Sequence, residues 1–94
     1  MNNPKRLAQI FKVLSVESRI RILQLLRNRS LCVNAIASKL NMTAAATSQH
    51  LRIMRDADIV ATDKKGYFVH YRINEKTLSL WKKQVGDFLS KHDK

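Results

Sequence analysis

Five side chains spaced along one short segment carry the chemistry this sequence offers: Ala44, Ala45, Ser48, Gln49 and Arg52. At helical periodicity they share one face, opposite an inward stripe of Thr47, Leu51, Met54 and Ala57. A glutamine can bond an adenine edge with two hydrogen bonds, and an arginine can reach guanine or a phosphate. Alanines let the backbone approach closely and can touch a thymine methyl. The pattern is therefore that of a helix offered to the major groove of DNA, with Thr43 as its capping residue and His50 on its flank.

A second basic element follows in Lys64 and Lys65, beside Gly66, whose lack of a Cβ suits a tight turn. Such a turn can lie along a phosphate backbone or enter a minor groove. Tyr67, Phe68 and Tyr71 nearby read as core or cross-strand packing rather than as a platform for single-stranded bases.

Nothing comparable supports catalysis. His50, His70 and His92 fall in three different elements, with no carboxylate pair or glycine-rich phosphate loop beside them. Cys32, flanked by Leu31 and Val33, reads as packing, and as the only cysteine it excludes an intrachain disulfide.

The elements that must position these residues can be traced along the chain. Leu7, Ile10, Phe11 and Leu14 give an amphipathic helix over residues 4–14, with Pro4 in its first turn. Ser15 is expected to cap a second helix reaching about Asn28, apolar around more than half its circumference and hence central to the core. A short bridge over residues 30–33 leads into a third helix over 33–40. Asn41 is expected in the left-handed conformation of a tight turn, Met42 points inward, and the fourth helix runs to about Ala57. Residues 59–62 and 67–73 read as the strands of a hairpin whose turn holds Asp63, Lys64, Lys65 and Gly66. Leu78, Leu80, Trp81, Val85, Phe88 and Leu89 mark a last helix, fraying near Lys91.

Composition sets the same direction. Eighteen Lys and Arg against seven Asp and Glu give a formal net charge of +11, which suits a polyanionic partner. Ninety-four residues with 45% apolar content support one small core, so residues 1–94 are expected to form a single domain. No apolar run is long enough to span a membrane and no signal-peptide core is evident, so a cytoplasmic location is expected.

The order of helices, helix-turn-helix, basic hairpin and final helix resembles the ArsR/SmtB family of small winged-helix repressors over nearly the whole chain. The resemblance is carried by VLSVESRIRILQLL, by LCVNAIASKLNMTAAATSQHLRIMRDADIV and by KKGYFVHYRI; Ser48 to Leu51 followed by Met54, Ala57, Ile59 and Val60 is its most specific part. It implies a mainly α (α+β) winged helix-turn-helix fold of about five helices plus a hairpin wing. It also implies a homodimer built from the first and last helices, through Leu7, Ile10, Phe11, Leu78, Trp81, Val85 and Phe88, reading an inverted repeat in double-stranded DNA. Apolar stripes on those two helices that a small core cannot fully cover agree with this.

Departures from the family pattern bear on the switch. Where many metal-sensing relatives carry Cys-Val-Cys, this chain has Cys32, Val33 and Asn34, and asparagine is a poor replacement for a soft thiolate. The last helix offers Asp87, His92 and Asp93 but lacks the upstream Asp-x-His pair of the zinc-binding relatives. No metal site and no cofactor are expected, and the sequence names no effector. Asp58 stands where the family usually has glycine, a position aspartate tolerates. Alternative readings are a metal- or thiol-responsive repressor using Cys32, and a winged-helix architectural or protein-interaction module.

Overall fold

A computed structural model describes residues 3–90. It contains α1 (Pro4–Leu14), α2 (Glu17–Leu25), β1 (Leu31–Cys32), α3 (Val33–Leu40), α4 (Ala44–Asp56), β2 (Val60–Lys65), β3 (Phe68–Ile73) and α5 (Glu75–Leu89). Lys91, His92 and Asp93 lie outside the described residues. The mainly α winged helix-turn-helix architecture expected from the sequence is the one adopted.

Local signals set most helix boundaries. Asn3 Oδ1 accepts from Arg6 N at 3.1 Å and Pro4 occupies the first turn, so α1 starts with one of its free amides satisfied. Asn41 takes φ 55° and Met42 N–H returns to the Ala37 carbonyl at 2.8 Å, closing α3 with a left-handed cap. Two residues later Thr43 Oγ1 accepts from Ala46 N at 3.0 Å and opens α4. The end of α4 repeats the device: Asp58 sits at φ 68° and Ile59 N–H bonds the Met54 carbonyl. Thr77 Oγ1 donates to Asp58 Oδ2 at 3.3 Å, tying that cap to α5.

Ile10, Ile22, Leu26, Ile36, Leu51, Met54, Ile59, Val60 and Trp81 form the core, drawing on every helix and on the start of the hairpin. Arg21 donates to the Leu40 carbonyl at 3.1 Å, so α2 also grips the C-terminal end of α3, where a cation complements the helix dipole.

Four expectations need correction. Ser15 does not cap α2: its hydroxyl donates back to the Lys12 carbonyl at 2.8 Å as the C-cap of α1, and extended Val16 precedes α2. Ser15 keeps a helical backbone (φ −79°, ψ −1°), whereas an N-cap needs the extended conformation that Val16 takes (φ −109°, ψ 123°). Second, α2 stops at Leu25 rather than near Asn28, which takes φ 61°, and Ile20 remains 44% exposed, so α2 contributes one face to the core rather than its centre.

Third, the bridge before α3 is a strand. β1 pairs antiparallel with β3 through Leu31↔Tyr71 and Cys32↔His70, making a three-stranded sheet of order β1-β3-β2. Fourth, Asp63, Lys64 and Lys65 belong to β2, and the turn is Gly66-Tyr67, closed by Lys65↔Phe68. Gly66, at φ 63°, is the first of two central residues, where a two-residue hairpin needs a positive φ. The lysines stay paired on only one side because β2 is an edge strand, and charge there discourages further strand addition.

Candidate nucleic-acid interface

Helix α4 is divided sharply between its two faces. Thr47, Leu51 and Met54 are fully buried, and Thr47 satisfies its hydroxyl by donating to the Thr43 carbonyl at 2.8 Å. Ala44, Ala45, Ala46, Ser48, Gln49 and Arg52 are all exposed. The buried stripe fixes the rotation of the helix, and that rotation delivers the five expected residues to one surface together with Ala46. Thr43 stands at the N-terminal edge of that surface as the cap. A run of small residues at the first turn leaves the α4 backbone able to approach a groove floor.

His50 is placed differently from the other residues on this helix. Its Nδ1 accepts from Arg19 Nε at 3.3 Å in a half-buried position, while Arg19 Nη1 donates to the Lys12 and Val13 carbonyls at 3.4 and 3.2 Å. Desolvation by burial, followed by the neighbouring Arg19 charge, holds the His50 pKa below 6.5. His50 thus joins α4 to α2 and the end of α1, and its Nδ1 is turned inward. The residue spacing alone could show only that it lay on the flank.

Exposed cations stand on both α4 and the hairpin. Lys64 and Lys65 are exposed on the hairpin, and Arg52 and Arg55 on α4. Among the described residues, ion pairs are formed by Arg72 with Asp63 at 2.8 Å and Lys83 with Asp87 at 3.1 Å, leaving those four cations unpaired. Tyr67 is wholly exposed at the hairpin tip and Phe68 is 64% exposed, so these two do not pack as expected. Residues 64–69 at the outer end of the hairpin are all exposed, and of the three aromatic residues only Tyr71, nearer the base, lies against the core.

Arg55, which periodicity places too far along the helix to reach deeply into a groove, shares a stripe with Ser48 and Arg52. The three line one cleft with Asp56 and Tyr71.

The expected dimerisation residues separate into three groups. Leu7, Ile10 and Trp81 are buried within the single chain, Leu78 and Val85 are half-buried against its core, and Phe11 and Phe88 are 39% and 45% exposed. The two phenylalanines stack at a tilt, with ring centroids 6.1 Å apart. Leu80 and Leu89, at 47% and 70% exposed, extend the uncovered apolar surface on α5.

Cys32 is half-buried in β1 beside α3, and Asn34 is exposed in the first turn of that helix. Among the described residues, no three His, Cys, Asp or Glu side chains gather closely enough to hold a metal ion. No described helix is long and apolar enough to cross a membrane.

Residues 17–62 match the model of the arsR family of bacterial regulatory proteins. The chain is similar to the transcriptional repressor SdpR of Bacillus subtilis, with 30% identity over 84 residues covering 89% of this chain and 93% of that protein. Among solved structures, it resembles a possible transcriptional regulator for arsenical resistance, with TM-score 0.77 and 30% identity over 86% of this chain and 84% of the other. It also resembles the homodimeric winged helix-turn-helix DNA-binding domain of a possible ArsR-family regulator from Mycobacterium bovis. There the TM-score is 0.73 and the identity 27%, covering 96% of this chain and 86% of that one.

Proposed function

Since this chain belongs to the ArsR family of bacterial regulatory proteins, DNA-binding transcriptional regulators rather than enzymes, we propose that it is a cytoplasmic homodimeric repressor reading an imperfect inverted repeat in double-stranded DNA. Residues 1–94 act as one domain, and repression follows from occupying a promoter. The observation that carries this reading is the division of α4, where a fully buried Thr47, Leu51 and Met54 stripe holds a bare, polar face outward. On that face Ala44, Ala45, Ser48 and Gln49 discriminate bases, while Arg52, Lys64 and Lys65 hold the strand.

Dimerisation through α1 and α5 is supported by the apolar surface at Phe11, Leu80, Phe88 and Leu89, and by the homodimeric state of the Mycobacterium bovis relative. A two-fold dimer offers two copies of α4 to successive turns of one face of the duplex, so half-sites lie about 34 Å apart. The thiolate pair of the metal-sensing relatives is absent, because exposed Asn34 occupies the second position. Operator binding is therefore proposed to be independent of a metal site of that design, and no cofactor is invoked.

Selection of bound sequences from random duplex DNA tests the reading. The expected product is a symmetric pair of half-sites, and Gln49→Ala should relax preference at one base position per half-site at a cost of about 1 to 3 kcal/mol. Selection yielding no shared motif, or a Gln49→Ala loss equal on selected and random DNA, would overturn it.

A further inference from the structure

The cleft between α4 and the base of the hairpin has a composition that base reading does not require. Its volume is about 640 Å³, and it is lined by Ser48, Arg52, Arg55, Asp56 and Tyr71. Ser48, Arg52 and Arg55 stand at i, i+4 and i+7, a single stripe climbing α4 away from its base-reading first turns. Tyr71 closes the other side from β3, where it pairs with Thr62. The alternation of side chains across the hairpin puts Thr62 and Tyr71, and beyond them Lys64 and Val69, on the same face as the buried pair Val60 and Ile73. That face runs from the core, past the cleft, to the hairpin tip.

We propose that this cleft is a seat for one backbone phosphate of the bound duplex, held by the Arg52 and Arg55 guanidinium groups and the Tyr71 hydroxyl. The assignment rests on the reading of α4 as the helix that enters the major groove. Recognition helices meet base edges with their N-terminal residues, so the later turns of α4 stand at the groove wall, where the phosphates are. The hairpin flanks the same wall, and a strand passing from the helix to the wing crosses the cleft. Two guanidinium groups there lack an internal ion pair among the described residues and oppose one carboxylate, Asp56, leaving a net positive site. Arginine and tyrosine suit the role because phosphate oxygens accept from forked N–H groups and from hydroxyls.

Asp56 makes the proposal testable in both directions. It lies at the C-terminal end of α4, where the helix dipole disfavours an anion, and it repels a phosphate in the cleft. Its removal should therefore strengthen binding while removal of its neighbours weakens it.

The test measures fluorescence anisotropy of the full chain on a duplex carrying the selected site and on a random duplex, from about 50 to 200 mM salt. Arg55→Gln should weaken both duplexes alike, by roughly tenfold, and lower the slope of log affinity against log salt by about 1. Tyr71→Phe, which removes only a neutral donor, should weaken both by about threefold and leave the slope unchanged. Asp56→Asn should tighten both. Unchanged affinity and slope in Arg55→Gln, a loss confined to the selected site, or weaker binding by Asp56→Asn would each overturn the phosphate seat while leaving the helix assignment intact. Absence of duplex binding by the unmodified chain would overturn both.

Discussion

The α4 and hairpin side of the molecule and the α1 and α5 side both expose residues that the single chain does not use, but the residues are of opposite kinds. On the first side they are cations and small polar groups: Ser48, Gln49, Arg52, Arg55, Lys64 and Lys65. On the second they are Phe11, Leu80, Phe88 and Leu89, while Trp81 Nε1 and Gln84 Oε1 are buried without a partner among the described residues. The polar side is complete as folded protein and unbalanced in charge. The helical side is unfinished as packing. An unbalanced charge calls for a polyanion and an uncovered apolar face for another apolar face, so one small chain carries the requirements of two different partners.

If the two sides serve different partners, they can be damaged separately, and the largest effect should come from the helical side. Leu80→Glu puts a charge into the proposed subunit contact at an exposed position, where the fold of one chain loses little. The expected result is a monomer by sedimentation with unchanged helix content. Affinity for an inverted repeat should fall on the order of a hundredfold, because the second half-site is no longer tethered to the first. A Leu80→Glu protein that remains dimeric would remove this part of α5 from the interface. A monomer with full affinity would dissolve the comparison itself, since the polar side would then need no help from the helical one.

A smaller effect belongs to the wing. Lys65 lies next to the turn on edge strand β2 and has no ion pair among the described residues, so Lys65→Ala should leave oligomeric state and melting temperature unchanged. It should weaken selected and random duplexes alike by severalfold and lower the salt slope by about 1. A slope identical to that of the unmodified chain would take the hairpin off the list of phosphate contacts.

The comparison also marks what the sequence could reveal. The turn between α3 and α4 was legible because Asn41 and Thr43 are local devices, each acting within a few residues of itself. The rotation of α4 was legible because Thr47, Leu51 and Met54 repeat at helical period. Strand β1 was not, because two residues carry no periodicity and exist as a strand only through pairing with Tyr71 and His70, far along the chain. In the hairpin, the polar composition of Asp63, Lys64 and Lys65 points to a turn three residues too early. Its register is set instead by the pairing that runs from Val60↔Ile73 to Lys65↔Phe68. On α1 and α5, periodicity finds an apolar stripe but cannot divide it between the chain's own core and a partner's surface. Ile10 and Trp81 fell to the core, and Leu80 and Leu89 to the exterior.

The smallest expected effect lies at the joint between the two sides. Arg19 spans from the last carbonyls of α1 to His50 on α4, and the His50 pKa is held below 6.5 by desolvation and then by Arg19. In the unfolded chain His50 regains a pKa near 6.5, so as pH falls below that value the unfolded state takes up the proton first. The contribution of neutral His50 to stability is thus present above about pH 6.5 and is lost progressively as pH falls through the lowered folded pKa. Protonation also removes the Nδ1 lone pair that accepts from Arg19 and sets two cations side by side. A urea series across this range should show stability falling with acidification in the unmodified chain and a flatter profile in His50→Gln, whose amide oxygen can still accept from Arg19. Equal slopes in the two proteins would mean that the joint is held by packing and the Arg19 carbonyl contacts alone. The two sides would then be coupled through the core rather than through this pair.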